Sequence, residues 1–214
     1  MKLVRKMEVR MPTRQGVLLI FLLIGILVFG LTSGLYPFLA QNRPLPQADL
    51  IILEGWINDA ALETFVVGLQ PGTQIVTTGG PILFGGSLFD EKSYAEVTAA
   101  RLQKLGVAPE AVLIASAPAT VKDRTYVSAL AVRDRLEEKG LLGHPANLYT
   151  LGAHSRRSFF LYRRALGPEV PLGVVSLDSA EYDLSRWWRS SLAFRQVVSE
   201  AVAWVYVQCT RWKY

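Results

Sequence analysis

Cysteine is almost missing from this chain. Cys209 stands alone among 214 residues, so no intrachain disulfide can form and the fold must rest on noncovalent packing. Histidine is nearly as scarce, with only His144 and His154. That inventory does not supply the Cys and His donors on which zinc sites mainly draw, and no metal site is expected. The glycines form neither G-x-G-x-x-G nor a Walker lysine loop. Dinucleotide or ATP binding of those classes is therefore not indicated, and any cofactor is left unknown. Internal repeats and low-complexity segments are absent. Charge is sparse too, at 19% of residues against 50% hydrophobic, an apolar balance for a soluble chain.

The apolar excess has one clear location. Gly16 to Tyr36 reads GVLLIFLLIGILVFGLTSGLY, 21 residues without a charge. As a helix it spans roughly 30 Å, the thickness of a bilayer's hydrocarbon core. Lys2, Arg5, Lys6, Arg10 and Arg14 come before or just short of it, with Glu8 the only acid. The positive-inside rule then predicts a cytoplasmic tail (1–15), a transmembrane helix (16–36), a linker (37–47) and an extracytoplasmic domain (48–214) in the plasma (inner) membrane. A cleaved signal peptide is the alternative, but the run is longer than the usual signal core and lacks a good small-x-small site. The net charge is +4 over residues 1–40 and +1 over the rest. The basic pI thus reflects topology, and nucleic-acid binding is not expected. Asn42 to Gln47 (NRPLPQ) reads as a short extended linker that keeps the domain near the membrane.

Beyond the linker, strand and helix patterns alternate. Strands are expected at Ala48–Leu53, Thr73–Thr78, Ala111–Ala115, Asn147–Leu151 and Leu172–Leu177. Asn58-Asp59 can cap a helix reaching Leu69, with Pro71-Gly72 beyond it. A glycine-rich loop runs from Pro81 to Lys92, and Ser93-Tyr94-Ala95-Glu96 then matches a capping box opening a helix to Leu105. Further helices are expected at about Arg124–Lys139, from His154 to Gly167, and from Ser190 to about Cys209. Such alternation predicts a Rossmann-like three-layer α/β/α fold with a mainly parallel five-stranded sheet, preceded by one N-terminal transmembrane helix.

In such a sheet a ligand docks beyond the carboxyl ends of the strands. The junction after the fourth strand, Gly152 to Arg157, is the most informative. His154, Arg156 and Arg157 stand at a helix start, where the macrodipole disfavours cations unless an anion is bound or water surrounds them. Arg124, in Asp123-Arg124-Thr125, repeats the pattern at a second helix start, and two such starts on one sheet edge would make a basic pocket. Solvated basic turns are the alternative. The default reading of Asp123 or Thr125 is simply an N-cap. Gly79-Gly80 offers a turn whose backbone N–H groups can face a ligand, or merely a tight turn. Glu54, at the end of the first strand, is a candidate general base, a ligand-hydroxyl partner or a group orienting His154. Glu96 is assigned to the capping box alone. Asp178, Glu181 and Asp183 read as solvated loop acids.

The end of the chain interleaves Trp187, Trp188, Trp204, Tyr206, Trp212 and Tyr214 with arginines. Membrane-interface belts have that composition. Val197, Val198, Ala201, Val202 and Val205 nevertheless read as a core-facing stripe, leaving Trp212 and Tyr214 free to touch lipid.

Four short motifs resemble the YdcF/SanA/ElyC-like family of bacterial envelope domains. They are Thr78-Gly79-Gly80, Leu105-Gly106-Val107, Arg124-Thr125-Tyr126-Val127-Ser128, and His154-Ser155-Arg156-Arg157. The third is similar to the R-T-x-D-S run of the SanA-like branch, with Val127 where that run has aspartate. The last matches H-x-x-R. Tyr94 stands where the family often has an acid. The resemblance covers about residues 48–208 and implies a Rossmann-like domain with a role in cell-envelope integrity, in some members tied to peptidoglycan or its lipid carrier. Combined with the basic helix starts, it leads to an expected pocket of Gly79, Gly80, Arg124, Thr125, His154 and Arg157. The expected ligand is an anionic envelope metabolite such as a lipid-linked phosphate or peptidoglycan precursor. Arg124 and Arg157 would clamp the anion, His154 would donate a hydrogen bond or a proton, and Glu54 would assist it. A hydrolase or transferase acting on such a substrate is one alternative. A non-catalytic scaffold for envelope proteins, using the aromatic C-terminal surface, is the other.

Overall fold

A computed structural model describes residues 11–82 and 92–210; most of the Pro81–Lys92 loop, and Trp212 and Tyr214, lie outside them. Five parallel strands form one sheet: β1 (Leu50–Glu54), β2 (Gln74–Gly79), β3 (Val112–Ser116), β4 (Ala146–Leu151) and β5 (Leu172–Leu177), in the order β3-β2-β1-β4-β5. Six helices accompany it: α1 (Arg14–Leu39), α2 (Asp59–Val67), α3 (Tyr94–Lys104), α4 (Arg124–Glu138), α5 (Ser155–Leu166) and α6 (Ser191–Cys209). This is the α/β architecture the alternation predicts. The strand order reverses between β1 and β4, which opens a crevice at their carboxyl ends.

Two apolar layers sandwich the sheet, because period-2 alternation sends β1's residues to opposite faces. Leu50 and Ile52 pack with Tyr126, Ala129 and Val132 of α4 and Leu161, Tyr162 and Ala165 of α5. Ile51 and Leu53 pack with Ala61, Leu62 and Phe65 of α2 and Leu102 of α3. Several caps match their sequence signals. Asn58 Oδ1 accepts from the Ala61 N–H at 3.0 Å, Ser93 Oγ from Glu96 N–H at 3.2 Å, and Ser190 Oγ from Ala193 N–H at 3.4 Å. Gly167 follows α5 at φ +90°, a backbone only glycine adopts without strain. Asp123 differs from expectation: it precedes α4 in the left-handed region, at φ +55°, and its side chain makes no cap bond. Its carboxylate instead accepts from the Tyr206 hydroxyl at 3.3 Å.

α1 is 26 residues long and apolar enough to cross a membrane. Val17 to Leu31 includes a long run of exposed large apolar side chains, whereas Tyr36 and Leu39 are buried. The last turn belongs to the domain, since Tyr36 and Leu39 share a third core cluster with Ala153, Trp187, Ala193 and Val197. The segment expected as a linker is divided accordingly. Pro37–Leu39 complete α1. Arg43 pairs with Val174 as an antiparallel bridge on the edge of β5, and Leu45 exchanges two hydrogen bonds with the Asn147 side chain. The expected core stripe on α6 needs correction. Val197 is buried and Ala201 packs against the same cluster, but Val198, Val202 and Val205 are exposed, and the inward face also carries Ala193, Trp204 and Val207. The helix is apolar nearly all round, so periodicity could not choose its buried side.

Candidate functional site

The switch point between β1 and β4 brings the chemistry together. Glu54 ends β1 and is fully buried. Its carboxylate accepts hydrogen bonds from Thr150 Oγ1 on β4 and from Ser158 Oγ on α5, the latter at 2.9 Å. Gly152 to His154 form a short 3-10 turn after β4, and α5 starts at the next residue. That turn suspends the imidazole between two carboxylates. His154 Nε2 is buried without a hydrogen bond, 3.7 Å from Glu54 Oε2. His154 Nδ1 lies 2.8 Å from Glu200 Oε1 on α6. Trp56, just past β1, meets the ring edge-on at 5.5 Å and limits its rotation.

Glu200 organises this cluster. Arg157 donates to both of its oxygens, from Nε to Oε2 at 2.7 Å and from Nη2 to Oε1 at 3.0 Å. Such a fork is directional and strong. Arg157 Nη1 also donates to Thr125 Oγ1 at 3.2 Å, which ties α5 to the start of α4. Arg157 Nη2 comes within 2.9 Å of His154 Nδ1 as well. An ionised Glu200 accepts the Nδ1 proton more strongly, so this second approach is a packing contact rather than a donor–acceptor pair.

The two carboxylates answer burial differently. For Glu200 burial raises the pKa, but the charges and hydrogen bonds of His154 and Arg157 outweigh it and hold the carboxyl at about 2. For Glu54 burial is the largest influence and wins. The opposing pulls of His154, Thr150, Ser158 and Arg157 leave its pKa raised. One acid is therefore fixed as an anion and the other is biased toward holding its proton, with an imidazole between them. That arrangement suits proton transfer.

A cavity of about 700 Å³ opens over this cluster. Gly80, Arg124, Thr125, His154 and Arg157 line it, as do Trp56, Arg195 and Glu200. Gly79 and Glu54 are not among its lining residues. Glu54 sits beneath His154. Gly79 serves packing, because a Cβ there would come within 2.7 Å of Tyr94 Cβ at the start of α3. Glu96 stays at the foot of α3, accepting the Lys92 N–H at 2.7 Å and the Ser116 hydroxyl at 3.2 Å. Three of Arg157's N–H groups are engaged by Glu200 and Thr125, and Glu200 cancels its charge. The unneutralised cations at the cavity are Arg124 and Arg195. Both are exposed, and neither has an ion-pair partner among the described residues.

Glu200 and Arg195 were not singled out from the sequence. They are the only charged residues in α6, and a lone acid in a mostly apolar helix is the available signal. Among the described residues no cluster of His, Cys, Asp and Glu has the makings of a metal site. Comparison with family models, curated proteins and solved structures finds no match, so the family resemblance rests on its motifs alone.

Proposed function

We propose that this chain is a membrane-anchored, extracytoplasmic domain with a role in the cell envelope, and that its cavity binds an anionic, phosphorylated envelope metabolite such as a lipid carrier or peptidoglycan precursor. The observation that carries the reading is the pair of exposed, unneutralised arginines, Arg124 and Arg195, lining the same cavity as His154 and Glu200. Two guanidinium groups suit a phosphate, which accepts charge-assisted bonds from each. The direction of the sheet adds support. Gly152 packs against the Tyr36 side chain and Ser155 Oγ donates to Leu39 O at 3.3 Å, so the carboxyl ends of the parallel strands lie at the end where α1 joins the domain. A ligand resting in the bilayer would meet the cavity from that side.

The test is titration of the full chain in nanodiscs with farnesyl phosphate, a short polyprenyl phosphate. Arg124→Gln and Arg195→Gln should each weaken binding by about tenfold, as loss of one hydrogen-bonded charge implies. Affinity equal to the parent in both variants rejects the anion pole.

The Glu54–His154–Glu200 array favours a second reading, a hydrolase or transferase acting on the same class of substrate. His154→Asn should then lower phosphate release from farnesyl diphosphate by about a hundredfold, the scale of a lost acid–base group, while farnesyl phosphate still binds. Unchanged release removes His154 from any mechanism.

A further inference from the structure

We infer that the segment Leu184–Phe194 is a second membrane-contacting element, seated in the interfacial layer of the leaflet that α1 enters. The depth follows from α1. About 20 helical residues cross a hydrocarbon core, and counted from Gly16 they end at Leu35. Trp187, in the 3-10 segment Leu184–Arg189, donates its indole N–H to Thr32 O at 3.0 Å. That bond fixes the segment within one helical turn of the hydrocarbon boundary. Trp187 is stacked on Phe194 and meets Trp188 edge-on, both with centroids 6.0 Å apart. Beyond this buried indole, Trp188, Leu192 and Phe194 stay exposed, and Arg186 and Arg189 stand exposed among them.

The bilayer is the occupant these observations favour. The apolar patch adjoins α1 through Trp187, which stacks on Phe194, donates to Thr32 O and shares a buried cluster with Tyr36, Ala193 and Val197. Aromatic rings flanked by arginines match the interfacial layer, where the rings lie among headgroups and the guanidinium groups meet phosphates. The direction of α6 agrees. Ala193 and Val197 pack near Tyr36, while Trp204 contacts Phe38 farther along α1, so the start of α6 is its membrane-proximal end. With α1 as one attachment and this segment as a second, the domain cannot swivel, and the Gly152–His154 turn is held at headgroup height. The inference does not depend on what chemistry the cavity performs.

The test uses the full chain in nanodiscs, with Cys209→Ser as background and single cysteines carrying an environment-sensitive fluorophore. Leu192→Cys and Phe194→Cys report on the proposed seat. Ile24→Cys, within α1, is the lipid reference. Val67→Cys is the water reference, at the far end of α2 and 90% exposed. Nitroxide lipids labelled near the headgroup should quench positions 192 and 194 at least about threefold more than position 67. Quenching at 192 and 194 equal to that at 67 overturns the inference, as does a water-like signal at 24.

Discussion

Arg157 and Arg124 line one cavity from two helix starts, yet their circumstances are opposite. Arg157 is clasped by Glu200 and Thr125, its charge matched and its orientation set. Arg124 stands exposed at the first position of α4 without a carboxylate partner among the described residues. On the proposed reading, the difference separates a charge that holds helices together from one left available to a ligand. A cation already paired holds helices together, whereas a cation left unpaired at a helix N-terminus, against the macrodipole, raises the free energy of the empty site and favours an anion.

The most severe way to break the comparison is Glu200→Gln. It strands Arg157 in a largely buried position, and loss of one partner of such a pair costs about 3 kcal/mol or more. Chemical unfolding of the full chain should register that loss at neutral pH. The pH dependence has a definite sign. The folded pKa of Glu200 is depressed from 4.5 to about 2, so its stabilisation is complete above 4.5 and is lost as pH falls toward 2. The gap in stability between parent and variant should narrow across that window. A constant gap would mean that the carboxylate is not held by charge.

Gly79→Ala sharpens the comparison from another side, because Gly79 is assigned to packing rather than to the ligand. Its added methyl would press on Tyr94 Cβ at 2.7 Å and should destabilise by about 2 kcal/mol, a typical overpacking cost. Ligand affinity per folded molecule should be kept. Arg124→Gln should do the reverse, shifting stability by less than about 0.5 kcal/mol, as exposed positions do, while farnesyl phosphate binding falls. The smallest expected effect is at Asp123. Asp123→Gly relieves the left-handed backbone at φ +55° but loses the contact with Tyr206, so the melting temperature should hardly move.

The layers and caps were legible in the sequence because each has a local cause. Short apolar runs punctuated by glycine gave the five strands, and Asn58, Ser93 and Ser190 each cap the helix they precede. The cluster around His154 was legible only in part. His154, Arg157 and Thr125 stand at element boundaries, where loops carry function. Glu200 is 43 residues from Arg157 and 46 from His154, and nothing local announces a partner at that distance. Asp123 stands in the position of an N-cap, but its own left-handed backbone goes with a side chain that meets Tyr206 on α6 instead of the helix start. On α6 the apolar residues surround the helix, so the buried side is chosen by α1 and Trp187, a tertiary contact that no window of sequence contains.

The most direct measurement is native mass spectrometry of the detergent-extracted full chain, offered farnesyl phosphate and farnesol in equal amounts. The two probes share a tail and differ in the charged group. An anion pole at Arg124 and Arg195 predicts that the phosphate form is retained at least about tenfold better and that Arg124→Gln lowers the preference by about tenfold. Equal retention of the two, or a preference untouched by that substitution, would contradict the account.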